Sequence, residues 1–115
     1  NVYASEDMDD NDIPGYSPDG GAGLSFDYSF TQPAAPVDNL DAAITNLFYM
    51  CNVLHDIWYQ YGFDEASGNF QATNYTGAGL GDDEVMADAQ DGGGINNANF
   101  ATPDDGESGR MQMYT

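Results

Sequence analysis

The fold is decided by the segment DNLDAAITNLFYMCNVLHDIWYQYG, residues 38–62. Its large, mostly apolar residues recur at steps of three and four, which predicts an amphipathic helix. Asp38 is suited to cap the first turn, and Gly62 supplies the stop. Because so long an apolar stripe needs several packing partners, we expect a central helix covered by the segments before and after it, with Phe48 and Trp58 as buried anchors. The stripe comprises Leu40, Ile44, Leu47, Phe48, Cys51, Leu54, His55, Trp58 and Tyr61.

Short alternating segments predict the partners of this helix. LSFDYSF, residues 24–30, alternates apolar and polar residues and is typical of a half-buried strand. Residues 85–89 alternate in the same way, and their small inward residues suit close approach to the helix. RMQMY at 110–114 predicts another strand, and 70–75 a possible short one. We therefore predict an α+β fold, with a long central helix packed on short, mostly antiparallel strands.

The charge balance excludes two classes of partner. The 115 residues include 20 Asp and Glu but one basic residue, Arg110, for a net charge of −19. Such a surface repels phosphate backbones and anionic lipid, so we expect neither nucleic-acid nor membrane binding. No apolar run reaches the 18 or so residues that a membrane span needs. The chain starts without Met and stops directly after a predicted strand, and we expect it to be a piece of a larger domain.

The acidic stretch near the N-terminus resembles a calcium loop. Asp7, Asp9, Asn11 and Asp12 offer oxygen ligands at close spacing. The EF-hand pattern fails, because Asp12 stands where glycine is required and Pro18 where the pattern ends. Two hypotheses stay open, a calcium site and a solvated acidic loop.

Few residues are suited to catalysis. A zinc site needs several His, Cys or carboxylate ligands in register, and the chain has one His and one Cys. We therefore predict that the isolated chain has no zinc site and no peptidase activity. Cys51 lies on the helix stripe and is expected to be a buried, inert thiol. His55 and Asp56 suggest a general base with its orienting carboxylate, but neighbours on a helix point about 100° apart. The alternative is a core histidine that bonds a neighbouring group.

An asparagine cluster, Asn96, Asn97 and Asn99, is interleaved with Ala98 and Phe100. Amides on a strand suit the recognition of an extended peptide by strand addition. Asn97 and Asn99 would share a face, and the amide of Asn97 offers both a donor and an acceptor to a peptide. An asparagine-rich edge or turn without a binding role is the alternative.

Long segments of the chain resemble the fungalysin family of secreted zinc metalloendopeptidases. They are NLFYMCNVLHDIWYQYGFDEASGNFQ and GLGDDEVMADAQDGGGINNANFATPDDGESGRMQMY, and GYSPDGGAGLSFDYSF is similar to the entry into that family's catalytic domain. The chain departs from the family at Met50-Cys51, where an aromatic and a polar residue are usual, and in its lack of basic residues.

The resemblance implies that residues 1–115 are the N-terminal lobe of a thermolysin-like catalytic domain. The zinc ligands and the catalytic glutamate would then lie outside this chain, in a C-terminal lobe. The side chain of Asn97 and the backbone of Ala98, with Asn99 beside them, would bind a peptide or protein substrate. The resemblance also implies a secreted, extracellular protein. A competing hypothesis is a non-catalytic acidic module that binds divalent cations or a protein partner.

Overall fold

A computed structural model describes all residues, 1–115. Its one long helix, α1, spans Leu40–Gln60 and confirms the helix prediction. The 3-10 turn Pro36–Asn39 precedes it, and Asp38 accepts a bond from Ala35 N at 3.2 Å in that turn. Gly62 follows with a φ of 96°, a left-handed conformation that ends the helix. No helix of the structure combines the length and apolarity needed to cross a bilayer.

Four strands form one sheet, in the order β1-β2-β4-β3. They are β1 Val2–Glu6, β2 Val85–Asp91, β3 Ala98–Ala101 and β4 Arg110–Tyr114. The pairs β1–β2 and β2–β4 are parallel, and β3–β4 is antiparallel. The α+β prediction is confirmed, but the expectation of mostly antiparallel pairing is wrong. The long connection through α1 returns the chain to the same end of the sheet, as parallel neighbours require.

The strand predictions have mixed outcomes. β2 and β4 are confirmed, whereas residues 24–30 and 70–75 form no strand. The outer edge of β1 is already taken, because Glu6 N donates to Tyr16 O at 3.0 Å and Ser17 Oγ to Ala4 O at 2.7 Å. Residues 24–30 therefore have no free strand edge there, in spite of their alternating pattern. β1 was not predicted, and it ends directly before the acidic stretch that begins at Asp7.

The core is small and lies between α1 and the sheet. Ala87 and Ala89 are almost fully buried, and Ile44 of α1 packs against them. These small residues let the helix approach β1 and β2 closely, as predicted. Phe48 and Trp58, however, are 51% and 54% exposed, so the prediction of buried anchors is wrong for both. Because α1 packs mainly on β1 and β2, the apolar residues that flank this contact stay uncovered.

Candidate functional site

Strand β3 lies at the open edge of the sheet, and all four of its residues are exposed. Tyr114 N donates to Asn97 O at 3.1 Å. Because hydrogen-bonded and non-bonded pairs alternate along an antiparallel ladder, Asn99 and Ala101 also direct their backbone groups to β4. The N–H and C=O groups of Ala98 and Phe100 therefore point away from the sheet. This edge is able to pair with another extended chain.

The two asparagines that the sequence grouped together have different surroundings. Asn97 lies just before β3 and is exposed, and its side chain forms no hydrogen bond within the chain. Asn99, in β3, donates from Nδ2 to Gln112 Oε1 at 2.8 Å and to Tyr114 OH at 2.6 Å. Its amide ties the edge strand to β4, while the amide of Asn97 is directed to solvent.

An aromatic cluster supports β3 from the opposite side. The rings of Phe100 and Phe70 meet edge to face with centroids 5.7 Å apart, and Phe70 meets Phe63 at 6.1 Å. Such pairs contribute about 0.5–1.5 kcal/mol each beyond the area that they bury. The edge strand is thus held by an amide on one face and by an aromatic ring on the other.

Beneath β3 and β4 lies an acidic cluster that contains the only basic residue. The carboxylate oxygens of Asp7, Asp12 and Asp88 lie within 4.8 Å of one another, and Asp7 and Asp88 are buried. Arg110 Nη1 donates to Asp88 Oδ2 at 2.5 Å, and Nη2 donates to Asp12 O at 2.6 Å. Burial raises the pKa of Asp88, and the Arg110 charge opposes that rise. The guanidinium supplies the positive charge of this cluster.

The four residues of the expected calcium loop do not converge. Asp7 accepts bonds from Asn11 N and Asp12 N at 3.0 Å each and faces the interior. Asn11 instead donates from Nδ2 to Asp9 Oδ2 at 2.8 Å, which pairs these two side chains with each other. The structure brings Asp7 and Asp12 together with Asp88, a residue that the sequence did not single out.

The His55 side chain is 15% exposed and lies in a polar network. Its Nε2 lies 3.0 Å from Gln71 Oε1 and 3.1 Å from Asn69 Nδ2, which confirms the interpretation as a hydrogen-bonded core histidine. Its Nδ1 also lies 3.1 Å from Asp56 Oδ1. These neighbours therefore do meet, although successive residues of a helix point about 100° apart.

The same network continues to a buried carboxylate. Glu65 is 3% exposed, and Gln71 Nε2 donates to it at 2.9 Å. It also accepts from the amides of Tyr75 and Thr76, each at 2.8 Å, and from the Thr76 hydroxyl. That hydroxyl is the main cause of the lowered pKa of Glu65, which the two amides and Gln71 reinforce and burial opposes. The network holds the loop between α1 and β2, and both carboxylate oxygens of Glu65 accept hydrogen bonds within it.

The donor set does not fit zinc. Both ring nitrogens of His55 lie against other side chains, and Cys51 lies half-buried beside Met111 with Sγ and Sδ 3.8 Å apart. Burial raises the pKa of the Cys51 thiol, whereas zinc binds the thiolate.

The chain is similar to known secreted peptidases. The family model described as fungalysin metallopeptidase (M36) matches residues 1–115. Extracellular metalloproteinase 2 of Arthroderma otae is 53% identical over 92 residues, which cover 80% of this chain and 15% of the relative. Extracellular metalloproteinase 5 of Trichophyton tonsurans is 50% identical over 91 residues, 79% of this chain and 15% of the relative. The probable extracellular metalloproteinase 1 of Arthroderma benhamiae is 46% identical over 116 residues, 90% of this chain and 18% of the relative.

These matches bear on several expectations. The resemblance to the fungalysin family and the classification as a metallopeptidase are confirmed. The names of the relatives likewise confirm the expectation of a secreted, extracellular protein. The chain spans about 15% of the length of the relatives named first.

Proposed function

The chain belongs to the fungalysin metallopeptidase family, and from that premise we propose that it is the substrate-aligning N-terminal lobe of a secreted zinc metalloendopeptidase. The observation that carries the proposal is the open edge of β3, where the backbone groups of Ala98 and Phe100 face outward. In the whole enzyme, zinc held by residues outside this chain would polarise the scissile carbonyl and activate water. This lobe would contribute binding and orientation.

A peptide in extended conformation would pair with β3 through backbone groups. The N–H and C=O of Ala98 would bond the peptide beside the scissile bond, and Phe100 would extend the ladder by one further pair. The exposed amide of Asn97 would donate to a substrate carbonyl and accept from a substrate N–H. Since these contacts are made to the peptide backbone, they would fix register without strong demands on side chains, and orientation of this kind lowers the barrier to reaction.

The exposed apolar face of α1 fits a lobe that packs on more protein. Phe48, Leu54 and Trp58 are each between 42% and 54% exposed, which is unusual for large apolar residues of a central helix. The matched relatives are nearly seven times as long as the aligned segment. We propose that the C-terminal lobe of the catalytic domain covers this face.

The experiment that tests the substrate-aligning role is Asn97→Ala in the full-length peptidase. We expect kcat/KM on peptides to fall ten- to a hundredfold, or about 1.4–2.7 kcal/mol. The melting temperature should stay within a degree or so, because the Asn97 side chain makes no bond within the chain. Asn52→Ala is the matched control, since that amide lies on α1 and bonds Asn1 and the Phe48 carbonyl. Unchanged turnover together with a lower melting temperature would assign Asn97 to a structural turn.

A second candidate function is a non-catalytic module that binds divalent cations. The cluster of Asp7, Asp12 and Asp88 favours it, and the guanidinium of Arg110 within the cluster weighs against it. Calorimetric titration with calcium discriminates between the two candidates. Tight binding that Asp12→Asn abolishes, in a full-length protein that cleaves no peptide, would support this second function.

A further inference from the structure

We propose that Gln112 is a positioning residue for the open edge of β3, because its amide joins Asn99 of β3 to the buried carboxylate of Asp91. The inference rests on the proposed function and adds a residue that supports the substrate-binding strand from beneath. Gln112 itself does not reach the open edge, since it lies on the neighbouring strand β4.

The sheet register places Gln112 in a polar row that crosses all four strands. Ser5 pairs with Asp88, Asp88 with Gln112, and Gln112 with Asn99. Because alternate residues of a strand face opposite sides, this row lies on the face away from the core alanines and α1. Ser5 and Asp88 are each 1% exposed, so the inner end of the row is fixed in the interior.

The orientation of the Gln112 amide is determined by its two close partners, Asp91 and Asn99, and Nε2 also makes a longer contact of 3.5 Å with Asp12 Oδ1. Nε2 donates to Asp91 Oδ2 at 2.8 Å, and Oε1 accepts from Asn99 Nδ2 at 2.8 Å. An ionised carboxylate only accepts, so Nε2 must face Asp91 and Oε1 must face Asn99. Asp91 is 1% exposed and is held at Oδ1 by Gly93 N at 2.7 Å. A short chain of bonds therefore runs from a rigid interior group to the edge strand.

A bulge in β2 makes this connection possible. Gln90 has a φ of 53° and is skipped in the pairing, so that Asp91 stands opposite Tyr114. Strict alternation would have placed Asp91 on the face of Ala87 and Ala89, out of reach of Gln112. Bulges commonly re-aim a side chain next to a functional site.

The chain of bonds from Asp91 through Gln112 to Asn99 restrains the position of β3. β3 has four exposed residues and one paired neighbour, β4. Without the Gln112 bridge the backbone ladder and the bond from Asn99 to the Tyr114 hydroxyl remain, but β3 loses its link to the buried carboxylate of Asp91. Misplacement of a substrate by about 1 Å costs up to a hundredfold in rate. Each further backbone pair between β3 and the peptide adds to this loss in rate. The fall in kcat/KM should therefore be larger for longer peptides.

Gln112→Met in the full-length peptidase tests the inference, because methionine keeps the length of the side chain and removes both bonds. We expect kcat/KM to fall about tenfold on peptides that extend along Ala98 and Phe100, and two- to threefold on dipeptide derivatives. Gln60→Met is the matched control, since Gln60 is exposed at the end of α1. Asn99→Ala cuts the same bridge at an exposed position and serves if Gln112→Met fails to fold. The double variant should be no worse than the poorer single one.

The outcomes separate the inference from the function on which it rests. An equal loss on short and long peptides, or a lower melting temperature with unchanged kcat/KM, would overturn the role of Gln112. If Asn97→Ala lowers turnover and Gln112→Met does not, the edge-strand function stands and the positioning role falls. A full-length protein that cleaves no peptide would overturn both.

Discussion

Replacing Arg110 with methionine should destabilise the sheet face that carries the acidic cluster. Arg110 is the only basic residue, and its guanidinium lies 2.5 Å from the almost fully buried carboxylate of Asp88. The substitution leaves the buried charge of Asp88 without its partner, and the carboxylates of Asp7 and Asp91 lie close by. Removing one partner of a buried pair costs about 3–5 kcal/mol. Because the Arg110 side chain is 24% exposed, water screens part of the loss, and we expect a value near the lower end, about 3 kcal/mol.

Native-state hydrogen exchange in the full-length peptidase measures this loss locally. About 3 kcal/mol corresponds to roughly a hundredfold faster exchange of the amides of β2 and β4. Amides in the C-terminal half of α1 serve as the internal control. Adding Asp88→Asn removes the stranded charge, so the double variant should recover most of the protection, and the cycle isolates the pair.

The pH dependence supplies a second readout for the same variant. Burial already raises the pKa of Asp88 above its ordinary 3.8, and Arg110 opposes the rise, so Arg110→Met should raise that pKa further. A raised native pKa means that the folded protein binds more protons than the unfolded chain, and stability then increases as the pH falls toward 3.8. The exchange difference between variant and wild type should therefore shrink as the pH is lowered from 7 toward 3.8. Unchanged exchange, or an Asp88→Asn that restores nothing, would refute the argument from an uncompensated buried charge.

Two further predictions concern groups in and beside α1. The lowered pKa of Glu65 stabilises the folded state above the ordinary carboxyl pKa of 4.5, and this stability is lost as the pH falls through the lower native value. Exchange of the Tyr75 and Thr76 amides should accelerate in acid, and Glu65→Gln should remove that acid dependence; a variant that keeps it would contradict the assignment. Burial raises the pKa of Cys51, so iodoacetamide at pH 7 should alkylate the native thiol about tenfold or more slowly than the thiol in urea. Equal rates, followed by mass spectrometry, would show a freely accessible thiolate.

The elements that local pattern decides were predictable from the sequence. α1 follows from its helical periodicity and the glycine at 62, and β2 and β4 follow from alternation. β1 was not predictable in this way, because its acidic surroundings are typical of a loop and its strand character depends on pairing with β2, more than 75 residues away. Residues 24–30 show the converse: their alternation is clear, but no strand edge is open to them.

The candidate site likewise has a part that was predictable from the sequence and a part that was not. The sequence singled out Asn97 and Ala98, which are neighbours in the chain at the start of β3. It gave no sign of the bridge from Asn99 through Gln112 to Asp91. That bridge depends on the register of three strands and on a bulge at Gln90. A period of two assigns Asp91 to the wrong face, and only the left-handed backbone of Gln90 corrects it.

The errors about burial have a different physical origin. Periodicity identifies which residues share a face of α1, but it does not state how wide a surface lies opposite. The alanines of β1 and β2 bring the helix close along the line of Ile44, and the flanking Phe48 and Trp58 remain about half exposed. A stripe that is too wide for its own sheet is the pattern expected of a helix shared between two layers.

The two faces of the sheet therefore serve the edge strand in different ways. The face toward α1 fixes β3 through the ring of Phe100, which packs edge to face on Phe70. The opposite face fixes it through oriented amide and carboxylate bonds that end on buried Asp91. The backbone ladder sets the register of β3 on β4, and the amide bridge adds a directional link to a buried group. The proposed binding of a peptide along the Ala98 backbone requires a strand held at a defined position, and this link would supply such support.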